Sequence, residues 1–137
     1  MNSPGTRSYV DTSAFIAFLD RSDSYHKVFA LLFSDPPELI TSPLVIAEGH
    51  AWFLKRYDSY RAIQFLNFIE ELTVLSIIPL GNEELSSGVQ LLRKFTDQEL
   101  TLADALGLFV MEQQKIETCW STDRHLSVTG VPLVVHQ

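Results

Sequence analysis

Short strand-like runs separated by helical segments constrain this chain more than any other feature. "SYV" (8–10), "LIT" (39–41), "TVLSIIPL" (73–80), "ETCWS" (117–121) and "PLVVH" (132–136) read as strands. Between them lie helical stretches: "SAFIAFLD", "SYHKVFALLFS", the run from Ser42 to Arg56, "YRAIQFLNFIEEL", "NEELSSGVQLLRKF", "LADALGLFVMEQQ" and a short helix near "DRHLSV". The punctuation has physical causes. Pro36 and Pro37 break the second helix, and Ser42 followed by Pro43 reads as an N-cap with a first-turn proline. Ile63, Phe65, Leu66 and Ile69 recur near the helical period. Strands alternating with helices imply an α/β chain whose mostly parallel sheet is covered on both faces.

At 137 residues, 46% hydrophobic and 20% charged, the chain suits one domain with a sizeable core. Residues 1–6 are polar and are expected to be disordered until the first strand begins. The single cysteine, Cys119, reads as a small core residue, since no basic partner stands near it in sequence. With no disulfide framework and no signal peptide, a reducing cytoplasm is the simplest location. No apolar run approaches the roughly 20 residues of a membrane-spanning helix. The net charge of −7 argues against broad affinity for nucleic acid, leaving a local basic site or binding bridged by metal ions.

Most acids fall in polar or helix-start surroundings; four do not. Asp11 ends the first strand where the chain must turn, and Asp123 does the same after "ETCWST". Carboxyl ends of parallel strands are where ligands bind in open α/β sheets, although either acid alone could be a cap. Glu48 has Leu44, Val45, Ala51 and Trp52 as helical neighbours, so its carboxylate faces a cleft or a cation, or else reaches water from the edge of that stripe. Asp104 is flanked by Leu100 and Leu108, and "TLAD" also matches a capping box with Thr101. The two roles are compatible, because the positive helix end keeps Asp104 ionised. If the four converge, they repel one another unless a cation is present. Oxygen ligands without nearby histidine or thiolate pairs favour Mg²⁺ or Mn²⁺ over zinc. One or two such ions suit phosphodiester hydrolysis.

The stretches "YVDTSAFIAFLDRSDSYH", "SPLVIAEGHAWF", "DQELTLADAL" and "WSTDRHL", in that order, resemble the PIN domain family. The likeness is greatest to the VapC-type toxin ribonucleases of toxin–antitoxin pairs, and it runs from Tyr9 to about Val135. It implies a three-layer α/β/α sandwich, usually homodimeric, that cleaves single-stranded RNA with Mg²⁺ or Mn²⁺ and is blocked by an antitoxin. The family's acidic quartet falls on Asp11, Glu48, Asp104 and Asp123. Its hydroxyl beside the first aspartate falls on Thr12 or Ser13, and the one before the last on Thr122. Arg124 is the leading candidate for a phosphate contact; Lys55 with Arg56 and Arg93 with Lys94 are local basic spots that also suit a helix surface. The aromatic residues mostly follow apolar helical stripes and read as core. A non-catalytic PIN-fold binding module and a housekeeping RNA-processing nuclease are the alternatives. A dehalogenase-type phosphatase needs an acid where Ser13 stands, and a receiver domain needs one where the third strand leads into Gly81 and Asn82.

Overall fold

The computed structural model describes residues 7–123. Its elements in chain order are β1 (Ser8–Val10), α1 (Thr12–Leu19), α2 (His26–Ser34), β2 (Leu39–Thr41), α3 (Pro43–Arg56), α4 (Ser59–Glu71), β3 (Leu75–Ile77), α5 (Asn82–Lys94), α6 (Leu102–Gln114) and β4 (Thr118–Trp120). The expected short helix at "DRHLSV", the strand "PLVVH", Arg124 and the disorder of residues 1–6 lie outside the described residues. The third strand is shorter than its apolar run suggests: only Leu75–Ile77 pairs, because neighbouring β2 spans just Leu39–Thr41.

All strand pairs are parallel, in the order β3-β2-β1-β4. Crossovers between parallel strands are right-handed, so the order assigns the layers. The chain steps from β1 to β2 to β3 in one direction, which places α1–α4 on one face. It then returns from β3 past β1 to β4, which sends α5 and α6 to the other face. Helix contacts agree, since α1 meets α2 and α3, α3 meets α4, and α5 meets α6. The result is an α/β/α sandwich. The direction of winding reverses between β1 and β4, and a crevice opens there at the strands' carboxyl ends. Asp11 directly follows β1 and Asp123 lies just beyond β4.

An aromatic cluster fills the side covered by α1–α4. Phe15 packs on Phe33 (5.8 Å between centroids) and on Phe65 (6.0 Å), and Phe33 meets Trp120 edge-on at 5.0 Å. Such pairs add to the stabilisation that apolar burial already provides. Cys119 is buried, as expected for a core residue, and burial followed by the nearby acids pushes its thiol well above the ordinary range. Such a group is not a nucleophile.

Asp20 is a buried acid that the sequence reading passed over. Its Oδ1 accepts from Ser22 N (3.0 Å), Ser22 Oγ (2.7 Å) and Tyr57 Oη (3.0 Å). Burial raises its pKa, but these hydrogen bonds and the Arg56 charge together leave it below the usual carboxylate range. The group is a structural tie between the end of α1 and the α3–α4 turn. Among the described residues no helix is long and apolar enough to cross a membrane.

Candidate active site

The crevice is built from four short pieces of chain. Asp11 is the N-cap residue of α1, with extended backbone at φ −84° and ψ 163°, yet its side chain makes no capping bond. Its N–H donates to Trp120 O (3.0 Å), extending the β1–β4 ladder. Asp11 Oδ2 instead accepts from Ser13 Oγ (3.2 Å) and Ser121 Oγ (3.1 Å). Ser13 Oγ also takes the Thr122 N–H (2.9 Å), and Ser121 Oγ takes the Asp123 N–H (3.0 Å). The two hydroxyls stand 3.1 Å apart and bind the end of β4 to the start of α1.

Asp104 closes the capping box expected for it and also faces the crevice. Thr101 Oγ1 accepts its N–H at 3.1 Å, and its Oδ2 accepts the Thr101 N–H at 3.0 Å, completing the capping box. The same side chain lines the crevice with Asp11. Gly107, one turn on, permits this approach: a Cβ there would lie 2.8 Å from Tyr9 Cε1, so only glycine lets α6 sit so close to β1.

Glu48 faces the cleft, one of the two placements its apolar helical neighbours allowed. It is exposed, because the neighbouring Ala47 and Ala51 leave that side of α3 open to the cleft. Thr12 Oγ1 donates to Glu48 Oε1 at 2.8 Å and ties it to the crevice rim. Thr12 and Ser13 therefore both serve acids, but different ones. Ser121, one residue before the expected Thr122, also carries a hydroxyl on Asp11. Its position two residues before Asp123 was the available clue, since side chains at i and i+2 share a face of an extended segment.

Asp11, Glu48, Asp104 and Asp123 line one open cavity of about 710 Å³. Burial, followed by the Asp104 charge, pushes Asp11 up to about 7 from 3.8, against hydrogen bonds from Thr12 and Ser121 that pull it down; Glu48 adds to the rise. Glu48 is itself raised by desolvation and by Asp104, with Thr12 opposing. The like charges thus interact across the crevice. Among the described residues no three His, Cys, Asp or Glu side chains are gathered into a ready-made metal cage; the acids share a wall rather than a closed shell. Buried side-chain polar atoms all have partners among the described residues.

Ser121→Ala removes the hydroxyl that holds both Asp11 and the Asp123 N–H at a fully buried position. The expected loss is about 1–3 kcal/mol of folding stability, read as a lower denaturation midpoint with an unchanged m-value. A midpoint within error of wild type would mean that water replaces the hydroxyl without penalty.

The sequence that builds this fold matches the PIN domain family model over residues 8–131. The chain belongs to the PIN domain family. It is 25% identical over 124 residues to Ribonuclease VapC26 of Mycobacterium tuberculosis, covering 84% of this chain and 85% of that protein. Its fold is similar to that of Mycobacterium tuberculosis VapC20, a sarcin–ricin-loop-cleaving toxin, with a TM-score of 0.83 at 22% identity over 90% of this chain and 95% of that one. A toxin–antitoxin complex from Klebsiella pneumoniae matches with a TM-score of 0.61 at 20% identity, over 93% of this chain and 95% of that one.

Proposed function

We propose that this chain is a metal-dependent endoribonuclease that cleaves single-stranded RNA and serves as the toxin of a toxin–antitoxin pair. One observation carries the reading: a buried carboxylate, Asp11, opens into a cavity that also receives Glu48, Asp104 and Asp123. Ionised acids in that arrangement are unfavourable without a cation. The donor set is all hard oxygen, which fits Mg²⁺ or Mn²⁺, and a shared wall of acids suits an ion that keeps several waters. Membership of the PIN family and the likeness to VapC ribonucleases support the choice of RNA and of an antitoxin partner. A homodimer in the cytoplasm completes the reading.

Asp11, Asp104, Asp123 and Glu48 are the residues that hold one or two ions. A bound ion supplies an activated water and neutralises charge developing on the phosphate. Ser13 and Ser121 orient Asp11, and Thr12 orients Glu48 toward the same space. The Asp104 backbone anchors that acid through the helix cap, which limits its freedom before substrate arrives.

The test is cleavage of mixed single-stranded RNA by purified protein in Mn²⁺, Mg²⁺ and EDTA, alongside Asp104→Asn. Asparagine keeps an oxygen for the Thr101 N–H, so the helix cap survives. Cleavage is expected to need metal and to fall to background in the variant. Millimolar Mn²⁺ is also expected to raise the wild-type melting temperature, as a ligand of the native state does. Equal cleavage by wild type and variant, or in EDTA, would overturn the assignment.

A further inference from the structure

The cavity that holds the acids is not acidic throughout. It continues along α3, where Glu48, Trp52, Lys55 and Arg56 fall at i, i+4, i+7 and i+8, one face of the helix. Trp52 is half-buried and forms an apolar wall with Ile16 and Ala51, while Lys55 and Arg56 are exposed beyond it. Trp52 meets Phe53 edge-on at 4.9 Å and Tyr57 at 6.1 Å, contacts that restrict the motion of its ring. The other tryptophan, Trp120, lies in the core.

From this placement we infer that Trp52 is a base-stacking residue. It stacks the nucleobase flanking the scissile phosphate, and Lys55 contacts the next phosphate along the strand. The inference rests on the nuclease reading and extends it to the substrate path. Three features favour a nucleic-acid strand as the occupant. Acids able to hold cations stand at one end of the groove, an aromatic face lies in the middle, and a cationic side chain lies at the other end. Glu48 and Lys55 are seven residues apart, about 10 Å along the helix, so the groove is longer than one phosphate. A net charge of −7 makes the position of these cations informative, since broad electrostatic attraction is absent. Lysine and arginine in the last turn also suit the helix dipole, but that role does not require them to line the cavity. Arg56 is partly engaged already, 5.3 Å from the Tyr57 ring, which leaves Lys55 as the phosphate contact.

The test uses a mixed 12-nucleotide RNA and a matched strand carrying abasic sites. Each strand carries a terminal fluorophore and is titrated, in Mg²⁺, with protein in the Asp104→Asn background, so that the RNA stays intact. Anisotropy of the label reads affinity in every variant, and tryptophan fluorescence reads contact wherever Trp52 is present. The base-bearing strand is expected to quench Trp52 and to bind roughly 5- to 100-fold tighter than the abasic one. Trp52→Ala is expected to erase that difference and Trp52→Phe to keep most of it. Lys55→Ala is expected to weaken both strands alike and to lower the slope of log affinity against log salt by about 0.7. Equal binding of the two strands, or a difference that persists in Trp52→Ala, overturns the assignment and leaves the wall to another occupant, such as a protein side chain. Wild-type cleavage is measured in parallel. RNA cleaved with the two strands indistinguishable removes this inference alone; RNA neither bound nor cleaved removes the nuclease reading with it.

Discussion

Asp11→Asn is expected to abolish RNA cleavage while making the metal-free protein more stable than wild type above neutral pH. Asp11 is buried, and its carboxyl is raised from 3.8 to about 7 by burial and by Asp104. Below about pH 3.8 the group is protonated in both folded and unfolded chains and contributes nothing to the pH dependence. Between there and about 7 the folded chain holds a proton that the unfolded chain has released, so stability falls as pH rises. Above about 7 the full penalty applies, at most about 4 kcal/mol at roughly 1.4 kcal/mol per unit. This sign is opposite to that of an acid held in a favourable ion pair. Asparagine has no such slope.

Thermal melts in EDTA at pH 4.5 and pH 8 are the direct check. The gap between variant and wild type is expected to open in the variant's favour as pH rises, by several degrees at pH 8. Titrating groups far from the crevice are common to both proteins and cancel in the difference, while Asp104 and Glu48, relieved of the Asp11 charge in the variant, shift it in the same direction. Mn²⁺ is then expected to narrow the gap, since the ligand raises wild-type stability by RT ln(1 + [L]/Kd), about 2.7 kcal/mol at a hundredfold excess over Kd, and to close it fully near a thousandfold excess, where the gain is about 4 kcal/mol. A variant less stable than wild type at pH 8 without metal would make Asp11 a structural residue.

The second large effect is expected at Gly49. A Cβ there would lie 2.3 Å from Phe65 Cζ and 2.8 Å from Cε2. The ring is held on two sides, because Phe65 is buried with Phe15 at 6.0 Å and Phe53 at 5.7 Å. In an open helix Gly→Ala gains up to about 1 kcal/mol of propensity. Here overpacking costs about 1–3 kcal/mol and decides the sign. Gly49→Ala is expected to destabilise by about 1–2 kcal/mol, and Gly49→Val by about 3 kcal/mol or more. Phe65→Leu in the Gly49→Ala background is expected to recover part of the loss, a coupling that a double-mutant cycle measures. Because Gly49 adjoins Glu48, the same displacement of α3 carries Glu48 away from Thr12. Cleavage is therefore expected to fall further than stability alone explains. Additive single and double variants would show that α3 and α4 separate freely, contrary to this packing.

Much of the architecture could be read before any coordinates. Alternation of short apolar runs with helical periods required crossover connections, and proline at 36, 37 and 43 placed two boundaries near where they occur. The capping box at Thr101 was visible because its partners are three residues apart. Strand ends carrying Asp11 and Asp123 marked one edge of a parallel sheet. Each of these features depends on neighbours close in sequence, and local periodicity reports such neighbours faithfully.

The rest depended on pairs far apart in the chain. Ser121 reaches Asp11 only because β4 pairs with β1, a strand order that no local pattern encodes. Trp52 follows an apolar stripe in sequence, yet it lines a cavity whose walls come from α1, α3 and the start of α6. Glu48 sits on the same stripe and is nonetheless exposed. Asp20 resembles a solvated acid at a helix end and is buried because Tyr57, 37 residues on, folds over it. By itself the sequence determined which residue types stand at strand ends, helix caps and core stripes, since backbone geometry and burial act over a few residues. Only the tertiary structure decided which of them meet, because solvent exposure and carboxylate repulsion are set by packing between elements distant in the chain.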